Sequence, residues 1–373
     1  MIAIYIHIPF CKQACHYCNF HFSTNLSGKS LFVNALLREI ALRKDEFEDK
    51  QIASVYFGGG TPSLLNKAEL TEIFSLLRNT FEILPDAEIT LEANPDDINE
   101  SLLRVWRDLS VNRLSLGIQS FQSDALKWMN RAHTGVEAIN ALNLMAEAGF
   151  ENMTADLIYG IPGVTDDQWL ADISVLINRE IPHISAYCLT VEDQTALAHF
   201  IKKGTSPPVQ EEQANRHFDL LMETLTNNGY QHYEISNFAK PGWEAKHNSS
   251  YWLGMHYMGF GPSAHSYNGK SRFWNVANNH QYIKGINEGK LPVVEIEMLT
   301  DTQKYNEYIL TRLRTHWGCN PEEINEPFRA FFLEEVKPFI PEMVYSSEGS
   351  YFLTKHGKMW ADRIASQLFA TEK

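Results

Sequence analysis

Through about residue 230 the chain switches between two hydrophobic periods. Short runs of alternating or solidly apolar residues are each followed by a longer stretch in which apolar side chains recur every three to four positions. Residues 2–8, Ile-Ala-Ile-Tyr-Ile-His-Ile, read as a first strand. Further strands are predicted at residues 54–57, 88–92, 113–118, 152–159 and 184–189. Helices are predicted at 29–47, 67–81, 101–109, 125–129, 136–148, 166–178 and 209–227, with Gly149 and Asn228-Gly229 as stops.

Strict strand–helix alternation implies parallel strands joined by right-handed helical crossovers. A period of about 30 residues fits a repeated βα unit. Six clear strands point to an α/β fold, a partial (β/α)6 TIM-like barrel. An open doubly wound sheet is the alternative. Its dinucleotide fingerprint, Gly-x-Gly-x-x-Gly after the first strand, is absent. Beyond residue 230 the pattern changes. Residues 231–289 are dense in aromatics, Gly, Asn and His, with little helical period. Residues 302–316 are amphipathic, 321–332 and 355–369 read as helices, and a small mixed element lies between them. The expected division is a core barrel at 1–230, a connecting segment at 231–289 and a smaller, mainly helical C-terminal domain at 290–373.

Hydrophobic residues make up 44% of the 373, enough for a sizeable core, and the formal net charge is −14. An acidic balance lacks the electrostatic footprint of a general nucleic-acid binder, so no nucleic-acid partner is expected. No apolar run approaches the ~20 residues needed to span a bilayer. The N-terminus reads straight into a strand, without a basic region or cleavage site.

Three of the five cysteines, Cys11, Cys15 and Cys18, fall within one short loop after the first strand. Thiolates this close can share one metal centre. Three suit a four-iron, four-sulfur cluster with one iron left open; a zinc site closed by His16 or His21 is the alternative, and incidental thiols a third. Such a triplet would be lost to disulfides in an oxidising compartment, so the cytoplasm is the expected location. Gly58-Gly59-Gly60-Thr61-Pro62 follows the second strand, where glycines let backbone approach a ligand, or make only a tight turn. Glu92, Gln119 and Asp156 stand at strand ends, with Arg131 one loop further on. At the C-terminal ends of barrel strands, such groups form a ligand ring. Read singly, each has a local structural role instead.

The Cys-x-x-x-Cys-x-x-Cys spacing, preceded by Tyr-x-His-x-Pro-Phe, resembles the signature of the radical S-adenosylmethionine superfamily. The resemblance implies a [4Fe-4S] cluster held by Cys11, Cys15 and Cys18. It also implies S-adenosylmethionine on the open iron, and an electron donor to feed the cluster. The order Gly-Gly-Gly-Thr-Pro, Glu-x-x-Pro, Gly-x-Gln-Ser-Phe, Asn-Arg and Asp-Leu-Ile-x-Gly-x-Pro-Gly resembles the oxygen-independent coproporphyrinogen III oxidase group, from Tyr5 to at least His265. That likeness implies S-adenosylmethionine contacts at Tyr5, Gly59, Gly60, Thr61, Glu92, Gln119, Arg131 and Asp156.

Two departures choose between branches. The oxidases carry a fourth cysteine where this chain has Phe20, and an extension before the first strand. Phe20, and His247-Asn248-Ser249-Ser250-Tyr251-Trp252 as a match to His-Asn-x-x-Tyr-Trp, are similar to the heme-chaperone branch. This implies heme as ligand and acceptor heme proteins, such as respiratory-chain components, as partners. His247 is the first candidate for touching heme, and Tyr251 and Trp252 for stacking on it. From the residues alone, His247 reads as an ordinary loop histidine. Cys188, His256 and His265 are alternates, and Cys319 reads as a spare buried thiol. The alternative function is the oxidase itself. No catalytic residue is assigned, and the oligomeric state is open, a homodimer included.

Overall fold

The structure, a computed structural model, describes residues 1–372. Six strands, β1 (Ile2–Ile8), β2 (Gln51–Gly59), β3 (Glu82–Ala93), β4 (Arg113–Gln119), β5 (Met153–Tyr159) and β6 (His183–Cys188), lie side by side in chain order. All five neighbouring pairs are parallel. Helices connect them, among them Lys29–Leu42, Lys67–Thr80, Glu100–Asp108, Gly135–Glu147 and Asp166–Ile177. Capping boxes start three of these connecting helices at Asn66–Glu69, Thr134–Glu137 and Thr165–Gln168, satisfying orphan N–H groups at each first turn.

The two faces of this curved sheet are chemically opposite. On the helix-covered face Ile2, Ile4, Ile6 and Ile8 of β1 join Val55, Phe57, Ile89 and Leu91 in the main core. On the inner face stand Ser54 and Tyr56, Thr90 and Glu92, Ser115, Thr154 and Asp156, and Ser185 and Tyr187. Most barrels fill that interior with branched apolar side chains. A polar interior is costly unless its groups are hydrogen-bonded or meet a ligand.

Residues 231–289, the expected connecting segment, contribute strands to the same sheet. These are β7 (Gln231–Glu234), β8 (Asn237–Ala239), β9 (Tyr257–Phe260), β10 (His265–Tyr267) and β11 (Ser271–Asn275), and β12 (Val293–Met298) follows. β9 runs parallel beside β1, and β10, β11 and β12 extend the sheet antiparallel from it. The sheet reaches twelve strands, in the order β12-β11-β10-β9-β1-β2-β3-β4-β5-β6-β8-β7.

A buried ionic knot fastens the extension to the barrel. Arg43 bonds Glu39 at 2.7 Å and the Gly259 carbonyl at 2.7 Å. Glu39 also accepts from Gly261 N–H, Asn275 and Tyr282. A carboxylate and guanidinium this deep need every remaining valence filled, and these partners fill them.

The boundary expected at 290 falls before β12, which pairs with β11 and so belongs to the main sheet. A second core begins with the helix Asp301–Leu313, opened by a Thr300–Gln303 capping box. It adds the helices Phe328–Glu335, Lys355–Lys358 and Ala361–Gln367, and a hairpin, β13 (Val344–Ser347) and β14 (Ser350–Leu353). Cys319 is fully buried there. No helix among the described residues is long and apolar enough to cross a membrane.

Candidate functional site

A cavity of about 550 Å³ opens at the C-terminal ends of the parallel strands. The cysteine loop forms one wall and is pinned from several directions. Cys11 N–H bonds the Ser23 carbonyl, and Ser23 N–H bonds that of Pro9. Gln13 donates to the Asn130 backbone and side chain at 3.0 and 2.8 Å. Lys12 reaches Asp96 at 2.9 Å and also pairs with Asp97. Phe10 anchors the loop's start by packing edge-on against Phe32.

With the backbone held this way, Cys11, Cys15 and Cys18 all border the cavity, each half-buried. Burial pushes the Cys11 thiol up to about 11 and also raises Cys18. Without a bound cation, that environment disfavours thiolates. Arg131 supplies one positive charge, donating to Cys15 Sγ at 3.2 Å. Its other arm holds Asn94 Oδ1 and the Gly117 carbonyl, both at 2.6 Å. Asn94 in turn donates to Thr61 Oγ1 at 3.2 Å.

The glycine turn after β2 lies against the base of that loop. Gly60 N–H bonds the Ile8 carbonyl, and a Cβ there would strike the Ile8 and Phe10 backbone. Gly59 has φ +100°, and a Cβ would overlap the His7 ring. Both positions therefore require glycine. Glu92 stands opposite, its Oε2 accepting from Gly59 N–H at 3.2 Å and its Oε1 from Tyr56 OH at 2.7 Å. Burial raises Glu92 to about 7, with the Asp156 charge adding to it, against the pull of the Tyr56 bond. Asp156 is raised to about 6 by burial, opposed by bonds from Ser185 and Ser115. Gln119 ends β4 at a register irregularity, with φ 69°. Such a backbone concentrates at ligand sites.

Of the twelve residues singled out from the sequence, ten border this one cavity: the three cysteines, Gly59, Gly60, Thr61, Glu92, Gln119, Arg131 and Asp156. Tyr5 lies a row behind, stacked on Tyr56 at 6.2 Å and bonded to His7 Nδ1 at 3.1 Å. His247 is 1% exposed and does not border the cavity. Its Nδ1 meets Ser54 Oγ at 2.8 Å and its Nε2 meets Tyr251 OH at 3.0 Å. Burial pushes its imidazole down to about 3, so it is neutral. In this arrangement neither ring nitrogen is open to an iron. The alternates differ: Cys188 borders the cavity and His265 stacks on Trp274 at 5.6 Å.

Sequence reasoning passed over Tyr56 and Thr90 and gave Asn94 and Asn248 no ligand role of their own; all four border the cavity. The available signal was alternation: Ser54, Tyr56, Gly58 and Thr90, Glu92 place polar or small residues on one face of strands whose other face is apolar.

The donor set fits a cluster better than a single ion. Three thiols and no carboxylate favour iron–sulfur or zinc chemistry. Among the described residues no three His, Cys, Asp or Glu side chains converge tightly enough for one metal ion. A cluster spreads its thiolates over separate iron corners and tolerates that spacing. Each imidazole that a zinc site would recruit has one ring nitrogen engaged, His16 Nδ1 with the Trp128 carbonyl at 2.8 Å and His21 Nε2 with Asn279 at 2.7 Å, which leaves only the other nitrogen of each for a metal.

Residues 5–176 match the Radical SAM superfamily. Over 91% of its length the chain is 32% identical to a heme chaperone HemW of Lactococcus lactis, covering 88% of that protein. It is 31% identical to the Bacillus subtilis HemW, covering 98% of each, and 30% identical to that of Escherichia coli, covering 100% of this chain and 98% of the relative. In fold it is similar to the coproporphyrinogen III oxidase HemN from Escherichia coli, a radical SAM enzyme, with a TM-score of 0.86. That likeness covers 99% of this chain and 90% of the other at 24% identity.

Proposed function

The chain belongs to the HemW family within the radical S-adenosylmethionine superfamily, and we propose that it binds heme and delivers it to acceptor heme proteins. Cys11, Cys15 and Cys18 hold a [4Fe-4S] cluster in this reading, and the cavity holds S-adenosylmethionine. When bound, the cluster supplies single electrons to the cofactor.

The chain's own residues then divide the work. Glu92 and Asp156 offer carboxylates to ribose hydroxyls and to a net-positive ligand. Arg131 steadies the Cys15 sulfur and orders Asn94 and Thr61 behind it. The Gly59–Gly60 turn brings backbone N–H and C=O groups within reach of the amino-acid part. The polar inner wall orients the nucleoside. The acceptors, respiratory-chain components among them, an electron donor, a cytoplasmic setting and a homodimeric state belong to the same proposal.

One observation carries the choice of chaperone over oxidase. Phe20, where the oxidases have their fourth cysteine, borders the cavity mouth and is 71% exposed. In this reading the exposed ring offers an apolar planar ligand a face to stack on. The test is hemin titration of anaerobically reconstituted protein, followed by transfer to an apo heme protein and read by Soret absorption. Saturable binding and transfer are expected. Protoporphyrinogen formation from coproporphyrinogen, with reductant and S-adenosylmethionine, would assign the oxidase activity instead.

A further inference from the structure

The segment His247–Trp252 has a structural position that the heme assignment leaves unexplained. The helix Lys246–Trp252 packs inside the barrel against the first halves of β2 and β3. There it closes the cavity from the side opposite the cysteine loop. Glu88 accepts the N–H groups of Lys246 and His247, both at 2.9 Å. The His247 ring lies on Tyr56 with centroids 4.9 Å apart and planes 25° apart. Tyr56 is the residue that holds Glu92. Tyr251 braces His247 and meets Tyr257 of β9 edge-on at 4.6 Å. Trp252 lies under Arg314 of the second core, at 4.7 Å. Three of the motif's side chains, His247, Tyr251 and Trp252, are thus absorbed by the fold.

Asn248 is not. It borders the cavity floor, and among the described residues its carboxamide has no protein partner. Beside it on the same floor, Thr90 is fully buried and its Oγ1 has no hydrogen-bond partner. Thr90 Oγ1, buried without a partner in the cavity that the half-buried Asn248 also lines, marks a place where ligand atoms complete the bonding.

The bonding groups around them restrict what the ligand is. The cavity carries both signs of charge, Lys12, Arg113 and Arg131 beside Glu92 and Asp156, whereas Thr90 and Asn248 are uncharged and each offers a donor and an acceptor. A neutral group carrying a donor beside an acceptor suits the floor. A carboxamide pairs with the adenine edge in this way, amino group to oxygen and ring nitrogen to amide. We propose that Asn248 and Thr90 bind the adenine of S-adenosylmethionine, and that His247 is a positioning residue holding Asn248 and Tyr56 in place. The inference rests on S-adenosylmethionine occupying the cavity.

The test is equilibrium dialysis of the full, anaerobically reconstituted chain with S-adenosylmethionine and, separately, with 5′-deoxyadenosine and methionine. Hemin titration runs alongside. Asn248→Ala is expected to weaken both nucleosides roughly tenfold, the worth of one to two lost hydrogen bonds, while methionine binding stays as in the wild type. His247→Phe keeps a ring on Tyr56 and is expected to retain more nucleoside affinity than His247→Ala, a recovery that loss of folding alone would not give. Wild-type nucleoside affinity in Asn248→Ala overturns the inference. So does a selective loss of the hemin titration in either variant, which would return the motif to heme. A wild-type chain that binds heme but neither nucleoside removes the cavity reading itself.

Discussion

The cysteine loop and the helix Lys246–Trp252 are both short, both conspicuous in the sequence and both set against the same cavity. They use their side chains in opposite ways. The loop's backbone is tied down by Ser23, Asn130 and the aspartates after β3, which leaves three sulfur atoms facing the cavity. The helix turns its imidazole away from the cavity, fills both ring nitrogens and stacks the ring on Tyr56. A donor atom becomes a ligand only if the fold leaves its valence free. That accounting separates a binding motif from a structural one.

The contrast is most sharply tested at Cys15. Cys15→Ala is expected to take reconstituted protein from about four irons per chain to almost none, with loss of the cluster absorption and little change in the thermal stability of the iron-free chain. Retention of iron would place the centre elsewhere. His247→Ala should do the reverse. Removing a fully buried ring leaves Ser54, Tyr251 and a cavity behind, so a loss of about 2–4 kcal/mol in denaturant unfolding is expected, with the iron content kept.

A smaller effect should appear on titration. Glu92 and Asp156 are raised by burial to about 7 and about 6, so the folded apo protein holds protons that the unfolded chain releases. Their stabilising contribution is present below the ordinary carboxylate range and is lost as pH rises through about 7. Binding of a net-positive ligand runs the other way and should strengthen severalfold between about pH 6 and 8 as Glu92 ionises. Glu92→Gln should flatten both profiles, as melting curves and dialysis would record. The smallest effect is expected at Phe20. With 71% of it exposed, Phe20→Ser should change stability by no more than about 0.5 kcal/mol. Hemin affinity should still fall by about fivefold, read by Soret titration.

The first six strands were legible because each has an apolar face that must meet helices. The prediction at residues 2–8 coincides with β1, and those at 113–118 and 152–159 lie within a residue of β4 and β5. The extension β9–β12 was not legible. Its strands are three to six residues long, too short for a period to emerge. They are held by the Glu39–Arg43 knot, whose partners lie more than 200 residues apart in the chain. The boundary expected at 290 lies just before β12, which reads as a charged, half-apolar stretch until its pairing with β11 is known. Within the site, cysteine spacing and the glycine turn are local signals and survive without tertiary context. Thr90 and Asn94 are ordinary polar residues in sequence, and Asn248 is one member of a motif, each given its place at the cavity only by what surrounds it.

The order of residues by itself therefore determined the alternating strand–helix frame, the sulfur triplet and the ring of polar strand ends. Each of these rests on short-range periodicity or spacing along one backbone. Tertiary structure alone decided which nitrogen and oxygen atoms remained free. It closed His247 between Ser54 and Tyr251 and left Asn248 and Thr90 facing the cavity. Hydrogen-bond satisfaction depends on neighbours brought together from distant segments, and no local pattern encodes it.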